Sequence, residues 1–205
     1  MKLVALDYGG VVGDHHIPEA ERRLAALFRV DVLTLCAMLS ERSELGSLVR
    51  RGDLTMQDFW LAQAESCGLE TIPAPMETLS RLWAETYRLN PQFQQGLESL
   101  RGRVRTGIVT NIDEGRAAYL VHSVRILDIV DYLWASHELQ HTKAEPEMWS
   151  SIASDAKKQG VSEMLYIDDR PHHVAAARAA GFVGLVHEGD VMATLDAINR
   201  WVVAN

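Results

Sequence analysis

The feature that most constrains the fold of this chain is a set of four short apolar runs that lack alternation of polar and apolar residues. The runs cover residues 3–6, 106–109, 164–167 and 182–186, and helical patterns lie between them. Strands that are apolar at consecutive positions are typical of a parallel sheet covered by helices on both faces. A weaker fifth run covers Tyr132–Ala135. The pattern therefore predicts an α/β fold with a Rossmann-like, doubly wound parallel sheet.

The segment from about residue 17 to residue 87 has helical periodicity throughout and contains no strand signal. The helices expected in it begin near Pro18, Val32, Glu44, Thr55 and Met76. An insertion directly after the first strand lies above the carboxyl ends of the strands, where open α/β sheets bind ligands. We therefore predict a core domain of residues 1–15 and 90–205 and a helical cap domain of residues 16–89.

The side chains of the insertion are interpreted by their position on the helices. Large aromatic residues on the apolar helical faces are expected to form the core of the cap. They are Phe28, Phe59, Trp60 and Trp83. The basic pairs at residues 22–23 and 50–51 are expected to face solvent.

Composition and charge limit the partners of the chain. It has 205 residues, of which 47% are hydrophobic, and a formal net charge of −8. An acidic chain lacks the basic face that nucleic-acid binding requires, so no nucleic-acid partner is expected. No stretch approaches the roughly 20 apolar residues that span a bilayer, and the N-terminal apolar run is too short for a signal peptide. With only the distant Cys36 and Cys67 as thiols, a cytoplasmic protein is expected. The sequence leaves open whether it is a monomer or a homodimer.

Polar side chains with useful chemistry follow three of the four best strands. In a parallel sheet these strand ends meet at one edge, where they would surround a single pocket. A phosphate ester requires a nucleophile, donors for its oxygens and a metal ion that offsets its charge. The candidate residues are Asp7 with Gly9 and Gly10, Thr110 with Asn111, Asp168 with Asp169, and Lys143 in the loop before the third strand.

In order and spacing these motifs resemble the haloacid dehalogenase (HAD) superfamily, most of whose members are phosphatases. One branch of the superfamily has D-x-G-G-V as its first motif, and this chain has DYGGV at 7–11. The remaining motifs correspond to TN at 110–111, KAEP at 143–146 and DD at 168–169. The insertion resembles the small cap of the branch that contains sugar-1-phosphatases and the phosphatase domain of soluble epoxide hydrolases.

The resemblance implies a nucleophile and a metal site. Asp7 would form an aspartyl-phosphate and would also ligate Mg²⁺, which prefers oxygen ligands. Gly9 would offer its backbone carbonyl to the metal. Asp169 would be the direct acidic ligand, with Asp168 beside it or behind it.

The resemblance also implies a binding site for a small phosphorylated substrate. Thr110 and the backbone of Asn111 would donate to the phosphoryl oxygens, and Lys143 would offset charge on the phosphoryl group and on the nucleophile. Gly9 and Gly10 would line the same pocket. Such positioning and charge compensation carry most of the catalysis in phosphoryl transfer.

The chain departs from the usual phosphatase pattern at Gly9, where most members have the acid that protonates the leaving group. Loss of that acid costs about 10²- to 10⁴-fold in rate if nothing replaces it. Asp14 is the nearest candidate replacement, and a neighbouring histidine or the substrate itself could also supply the proton. His15 is expected to contact substrate at the hinge of the cap.

A second departure is His173, where the family usually has Asp or Asn. A histidine at this position could hydrogen-bond a metal-bound water and could alter the choice of metal. The alternative is that His172 and His173 both face solvent at the start of a helix. A third departure, Ala144 in place of proline, concerns the rigidity of the loop.

Three functions are therefore open from the sequence. The favoured function is a Mg²⁺-dependent phosphatase for a sugar phosphate or nucleotide. A metal-independent 2-haloacid dehalogenase is the first alternative, but that branch tends to have tyrosine where Gly9 stands and no acid pair like Asp168 and Asp169. The second alternative is a binding protein that has lost catalysis.

Overall fold

The computed structural model describes residues 1–14 and 18–204, with Asp14 described at its backbone. A five-stranded parallel sheet forms the centre of the core, in the order β5-β4-β1-β6-β7, and β2 pairs antiparallel with β3. The strands are β1 (Lys2–Leu6), β2 (Gly13–Asp14), β3 (Arg88–Leu89), β4 (Arg105–Thr110), β5 (Tyr132–Ala135), β6 (Glu163–Asp168) and β7 (Val183–Val186).

Helices connect these strands. Before the return strand β3 they are α1 (Pro18–Phe28), α2 (Val32–Leu39), α3 (Glu44–Arg51), α4 (Met56–Ser66) and α5 (Met76–Ala84). After it they are α6 (Pro91–Leu100), α7 (Glu114–His122), a 3-10 turn (Ile126–Asp128), α8 (Ser136–Leu139), α9 (Pro146–Lys158), α10 (Pro171–Ala179) and α11 (Val191–Val203). None of the helices in the described ranges is long and apolar enough to cross a bilayer.

Apolar clusters cover both faces of the sheet. Val4 and Leu6 of β1 pack into one cluster with residues such as Phe93 of α6, whereas Leu3 of β1 packs on the opposite face with Trp149 of α9. Consecutive strand residues point to opposite faces, so a central strand buried on both sides must be apolar throughout. The predicted fold class, a doubly wound parallel sheet with a helical cap inserted after the first strand, is confirmed.

The helices α1 to α5 have an apolar core of their own. The ring of Trp60 lies 5.8 Å from Phe28, 5.0 Å from Phe59 and 5.4 Å from Trp83, measured between ring centroids. These aromatic residues are buried, as the apolar helical faces indicate. The chain enters this helical unit through β2 and returns through β3, so the two-stranded pairing joins the unit to the core.

Candidate active site

Three carboxylates meet at the carboxyl ends of the neighbouring strands β1 and β6. Asp7 directly follows β1, and its backbone N–H donates to the carbonyl of Ile167 in β6 (2.8 Å). Asp168 ends β6 and Asp169 follows it. One carboxylate oxygen of each of the three aspartates lies within 4.8 Å of the others. The parallel pairing of the two strands therefore brings Asp7 close to two acids that lie at least 161 residues away in the chain.

A buried lysine joins two of these acids. Lys143 Nζ lies 2.7 Å from Asp7 Oδ2 and 2.9 Å from Asp168 Oδ2. Its loop is held in place, because its backbone N–H donates to Asn111 Oδ1 (2.9 Å) and its carbonyl accepts from Trp149 Nε1 (2.9 Å). The side chain of Asn111 thus has a structural contact that the motif did not suggest.

The charges of the cluster do not balance. Burial raises the pKa of Asp7 to about 7, although Lys143 opposes the shift. Burial and the neighbouring Asp168 raise the pKa of Asp169 above its usual value. Burial alone would lower the pKa of Lys143, but Asp7 and Asp168 hold it above its usual value. Three carboxylates facing one ammonium favour an additional cation at this site.

The residues present fit a hard divalent cation. Asp169 Oδ1 is buried and has no hydrogen-bond partner among the described residues. Gly10 has a φ of +82°, and a Cβ at that position would lie 2.8 Å from Asp169 Oδ2. The absence of a side chain thus leaves the carboxylate of Asp169 free, and an all-oxygen set of ligands suits Mg²⁺.

Asp168 differs from Asp169 because its oxygens are already engaged. Besides the contact with Lys143, Asp168 accepts hydrogen bonds from Tyr166 Oη and from the backbone N–H of Arg170. Burial would raise the pKa of Asp168, but Lys143 and the hydrogen bonds hold it well below its usual range. This carboxylate is therefore ionised and holds the lysine in place. Because its oxygens already accept hydrogen bonds, it is less available than Asp169 to bind a metal directly.

His173 is one of the contacts of Asp168. Its Nδ1 lies 3.2 Å and 3.3 Å from the two carboxylate oxygens, and the side chain is buried. The neighbouring His172 is exposed, so the alternative that both histidines face solvent is wrong for His173. Tyr166, which the motifs did not single out, lies inside a buried strand, and only the fold shows that its hydroxyl reaches Asp168.

A cavity of about 310 Å³ lies between these strand ends and the helical unit. From the core it is lined by Asp7, Gly9, Thr110, Asn111 and Lys143, so the structure places these predicted residues around one space. The opposite wall comes from α1, α2, α3 and α5. Its apolar members are Leu24, Leu35, Leu39 and Trp83.

Two arginines in the cavity wall were not predicted as site residues. Arg50 was expected to face solvent as part of a basic pair, but it is buried, with 7% of its surface exposed. Arg116 is 2% exposed. Arg50 was missed because a pair of adjacent basic residues on a short helix does not indicate which one faces inward. Arg116 was missed because it follows the second motif without belonging to it.

Gly10, which was expected to line the same pocket, is not among the residues that line the cavity and lies against the carboxylate of Asp169 instead. Two further predicted residues cannot be placed at the cavity. The backbone of Asp14 lies in β2, opposite Arg88, while its side chain is outside what the structure describes. His15 lies outside the described residues. Their roles stay predictions.

A family model for haloacid dehalogenase-like hydrolases matches residues 1–181. The chain belongs to the haloacid dehalogenase-like hydrolase family. This confirms the resemblance seen in the motifs and makes the protein a hydrolase of that family, while the assignment to a particular branch stays a prediction. A search of curated proteins found no significant match.

Solved structures of this family share the fold of the chain. A HAD family enzyme from Bacteroides thetaiotaomicron, solved with magnesium and inorganic phosphate, has a TM-score of 0.75 at 15% identity over 92% of this chain and 95% of its own. A predicted HAD-like family hydrolase from Porphyromonas gingivalis has a TM-score of 0.80 at 18% identity over 100% and 99%.

A dehalogenase is also among the similar structures of this HAD-like hydrolase. The 2-haloacid dehalogenase from Pseudomonas syringae pv. tomato has a TM-score of 0.67 at 17% identity over 98% of this chain and 99% of its own. At such identities the likeness concerns the fold alone, so the choice of reaction depends on the chemistry of the site.

Proposed function

We propose that this protein is a Mg²⁺-dependent phosphohydrolase that acts on a small phosphorylated metabolite, such as a sugar phosphate or a nucleotide. The observation that carries the proposal is the cluster of Asp7, Asp168 and Asp169 around Lys143, with an unpaired buried oxygen on Asp169. Attack on a phosphate monoester needs positive charge beyond that of one lysine. Attack of a carboxylate on the carbon of a haloacid has no such requirement.

Asp7 is the proposed nucleophile. Its Oδ1 accepts a hydrogen bond from the backbone N–H of Tyr8 (2.7 Å), and its Oδ2 contacts Lys143, so the orientation of the carboxylate is fixed. Attack on phosphorus forms an aspartyl-phosphate while the bond to the leaving oxygen breaks. Water then attacks phosphorus, the bond to Asp7 breaks, and inorganic phosphate leaves.

The other residues position and neutralise the phosphoryl group. Thr110, at the end of β4, and the backbone of Asn111 are proposed to donate to its oxygens, as the resemblance implies. Asp169 would be the acidic ligand of Mg²⁺, assisted by Asp7 and the backbone carbonyl of Gly9. When bound, Mg²⁺ would offset the charge of the phosphoryl group and of the carboxylates.

The proton for the leaving oxygen requires a group other than residue 9, which is glycine. We propose Asp14 as the donor, with a neighbouring histidine or the substrate as alternatives. Asp14→Asn should then lower kcat strongly for alkyl phosphates, whose leaving oxygen needs a proton, and much less for an aryl phosphate. A pH–rate profile that Asp14→Asn leaves unchanged would remove Asp14 from this role.

A 2-haloacid dehalogenase is the second candidate, because a departing halide needs no proton donor, although that branch tends to have tyrosine where Gly9 stands. The two reactions differ in the need for metal. Phosphate release from a panel of phosphorylated metabolites and halide release from 2-haloacids should both be measured, with Mg²⁺ and with EDTA. Asp7→Asn is the control.

Phosphate release that requires Mg²⁺ and is lost in Asp7→Asn supports the phosphohydrolase. Halide release that is insensitive to EDTA supports the dehalogenase instead. A folded protein that releases neither product is expected only if the chain is a binding protein.

A further inference from the structure

The wall of the cavity contains an excess of buried positive charge that the proposed phosphoryl chemistry does not use. Arg50 of α3 and Arg116 of α7 both line the cavity that contains Asp7. Asp113 is the only carboxylate among the described residues within salt-bridge distance of either guanidinium. A charge that is removed from water is costly unless a counter-charge and hydrogen bonds offset the loss.

Arg50 has hydrogen bonds but no carboxylate of its own. Its Nη1 donates to the carbonyl of Gly46 (2.8 Å) and its Nη2 to the carbonyl of Leu39 (2.9 Å). Burial and the neighbouring Arg116 lower the pKa of Arg50 to about 9. Backbone carbonyls therefore hold the guanidinium in place, while the positive charge of Arg116 disfavours its charged form.

Arg116 has one ionic partner, and one of its terminal nitrogen atoms has no hydrogen-bond partner among the described residues. Its Nε donates to Asp113, whose carboxylate also caps the start of α7, and its Nη1 donates to Tyr87 Oη (2.8 Å). Its Nη2 is buried without a hydrogen-bond partner among the described residues. An unpaired guanidinium N–H in a buried site costs free energy, and a bound anionic oxygen would recover it.

Aromatic rings fix the two guanidinium groups beside the cavity. The Cζ atoms of Arg116 and Arg50 lie 3.9 Å and 5.3 Å from the centroid of Trp83. Cations near aromatic faces gain some electrostatic stabilisation, and the flat rings limit their movement. The arrangement is a pair of cations that pack against one aromatic ring in the cavity wall.

The other carboxylates that line the cavity lie elsewhere in its wall. Glu41 forms an ion pair with Arg170, and Glu21 lies beside the thiol of Cys36. Neither is within salt-bridge distance of Arg50 or Arg116 among the described contacts. The two arginines and Asp113 therefore form a group with a net positive charge.

We propose that Arg50 and Arg116 bind a second anionic group of the substrate, a carboxylate or a second phosphate, while Asp7 and Lys143 hold the phosphoryl group to be transferred. This inference rests on the proposed phosphohydrolase function and narrows its substrate class to phosphorylated metabolites that carry a further anionic group at the end away from the phosphate to be transferred. The apolar wall between, with Leu24, Leu35 and Trp83, would face the carbon chain.

The test is a series of phosphomonoesters of two to six carbons whose far end is a carboxylate, a second phosphate or a neutral hydroxyl. With wild-type protein and Mg²⁺, kcat/KM for the best anionic-ended ester should exceed that of its hydroxyl-ended match at least about 10-fold, as hydrogen bonds between charged groups provide. The carboxylate and bisphosphate members of the series show which of the two anions is bound.

Variants of the two arginines test whether they cause the preference for esters with an anionic far end. Arg116→Gln and, independently, Arg50→Gln should reduce the preference for anionic-ended over hydroxyl-ended esters to within about 2-fold, because each variant removes a charged donor for the second anionic group. Arg22→Gln is the matched control, since Arg22 is an exposed cap residue that pairs with Glu19. Circular dichroism and thermal unfolding show whether each variant is folded.

Equal kcat/KM for charged and neutral far ends in wild-type protein would overturn the inference without affecting the phosphohydrolase. If neither an ester of this series nor a metabolite of the panel in the preceding subsection is hydrolysed, the proposed function fails, and binding measurements alone test the inference. Calorimetric titration with succinate and with 1,4-butanediol should then show binding of the dicarboxylate only, weakened at least about 10-fold in Arg116→Gln. Failure of wild-type protein to bind any dicarboxylate or bisphosphate would also overturn it.

Discussion

At the residue scale, the site combines acids that the motifs identify with contacts that only the fold reveals. Asp7, Asp168 and Asp169 lie at the ends of two strands and Lys143 lies in a loop of the same core, so the sequence predicts that they converge. The contact between His173 and Asp168 joins β6 to a helix side chain five residues later, and the direction of that side chain cannot be read from the sequence. The partners of a buried side chain depend on tertiary packing.

The contact of His173 gives the first prediction. Because its Nδ1 is placed to hydrogen-bond Asp168, His173→Ala should loosen the carboxylates and weaken Mg²⁺ binding about 10- to 100-fold, as the loss of such outer contacts typically does. The measurement is the Mg²⁺ dependence of phosphate release. His172→Ala, at an exposed neighbouring position, should leave it unchanged, and an equal effect of both variants would contradict the assignment.

The pKa of Asp7 gives a second prediction, for metal-free protein. Asp7 has a pKa of about 7 when folded and an ordinary value of 3.8, so the folded state binds more protons between these pH values. The contribution of Asp7 to the free energy of unfolding should therefore fall as pH rises from about 4 to 7, by at most about 1.4 kcal/mol per pH unit. Asp7→Asn should lack this contribution.

Urea unfolding of both proteins in EDTA, across that pH range, measures the difference. Addition of Mg²⁺ should reduce the slope in the wild type, since a cation favours the ionised carboxylate. Parallel pH dependences of the two proteins in EDTA would show that Asp7 titrates in the folded state as it does in the unfolded chain.

At the element scale, the apolar runs predict the central strands because a strand covered on both faces must be apolar throughout. The weakest predicted strand, Tyr132–Ala135, is present at the edge of the sheet. The helical pattern that extends to about residue 87 in the sequence ends at Ala84 instead, since the chain must turn into the short strand β3. Two-residue strands such as β2 and β3 are too short to produce a pattern.

Two helices of the core, α6 and α11, were not assigned from the sequence. Signals for both are present, because Asn90 caps α6 directly before Pro91, and Asp190 caps α11. A capping residue followed by proline at the first helical position is a common helix start. Local capping chemistry, rather than hydrophobic period alone, would have located them.

The aromatic core of the helical unit gives a prediction about its stability. Trp60 is fully buried against Phe28, Phe59 and Trp83. Trp60→Ala should therefore lower the free energy of unfolding by about 3 to 5 kcal/mol. Leu33→Ala, at a position that is 83% exposed, should change it by less than about 0.5 kcal/mol. Denaturant unfolding measures both, and a loss below about 1 kcal/mol in Trp60→Ala would contradict a packed core.

At the scale of the whole molecule, the proposed function depends on the cavity between the strand ends and the helical unit. Two ion pairs join the helical unit to the core, Arg51 with Glu145 at 2.7 Å and Glu41 with Arg170. The sequence predicts that an insertion at this point covers the strand ends. It does not indicate which side chains face inward, and the burial of Arg50 shows that adjacent residues on one helix can have opposite surroundings.

The central claim is that Asp7 accepts the phosphoryl group. Rapid quenching of the wild-type protein, mixed with Mg²⁺ and a phosphomonoester that it hydrolyses and that carries labelled phosphorus, should trap label on Asp7 early in the reaction, with the position assigned by peptide mapping. EDTA or Asp7→Asn should abolish the label. Full turnover by folded Asp7→Asn, or label on another residue, would contradict the account.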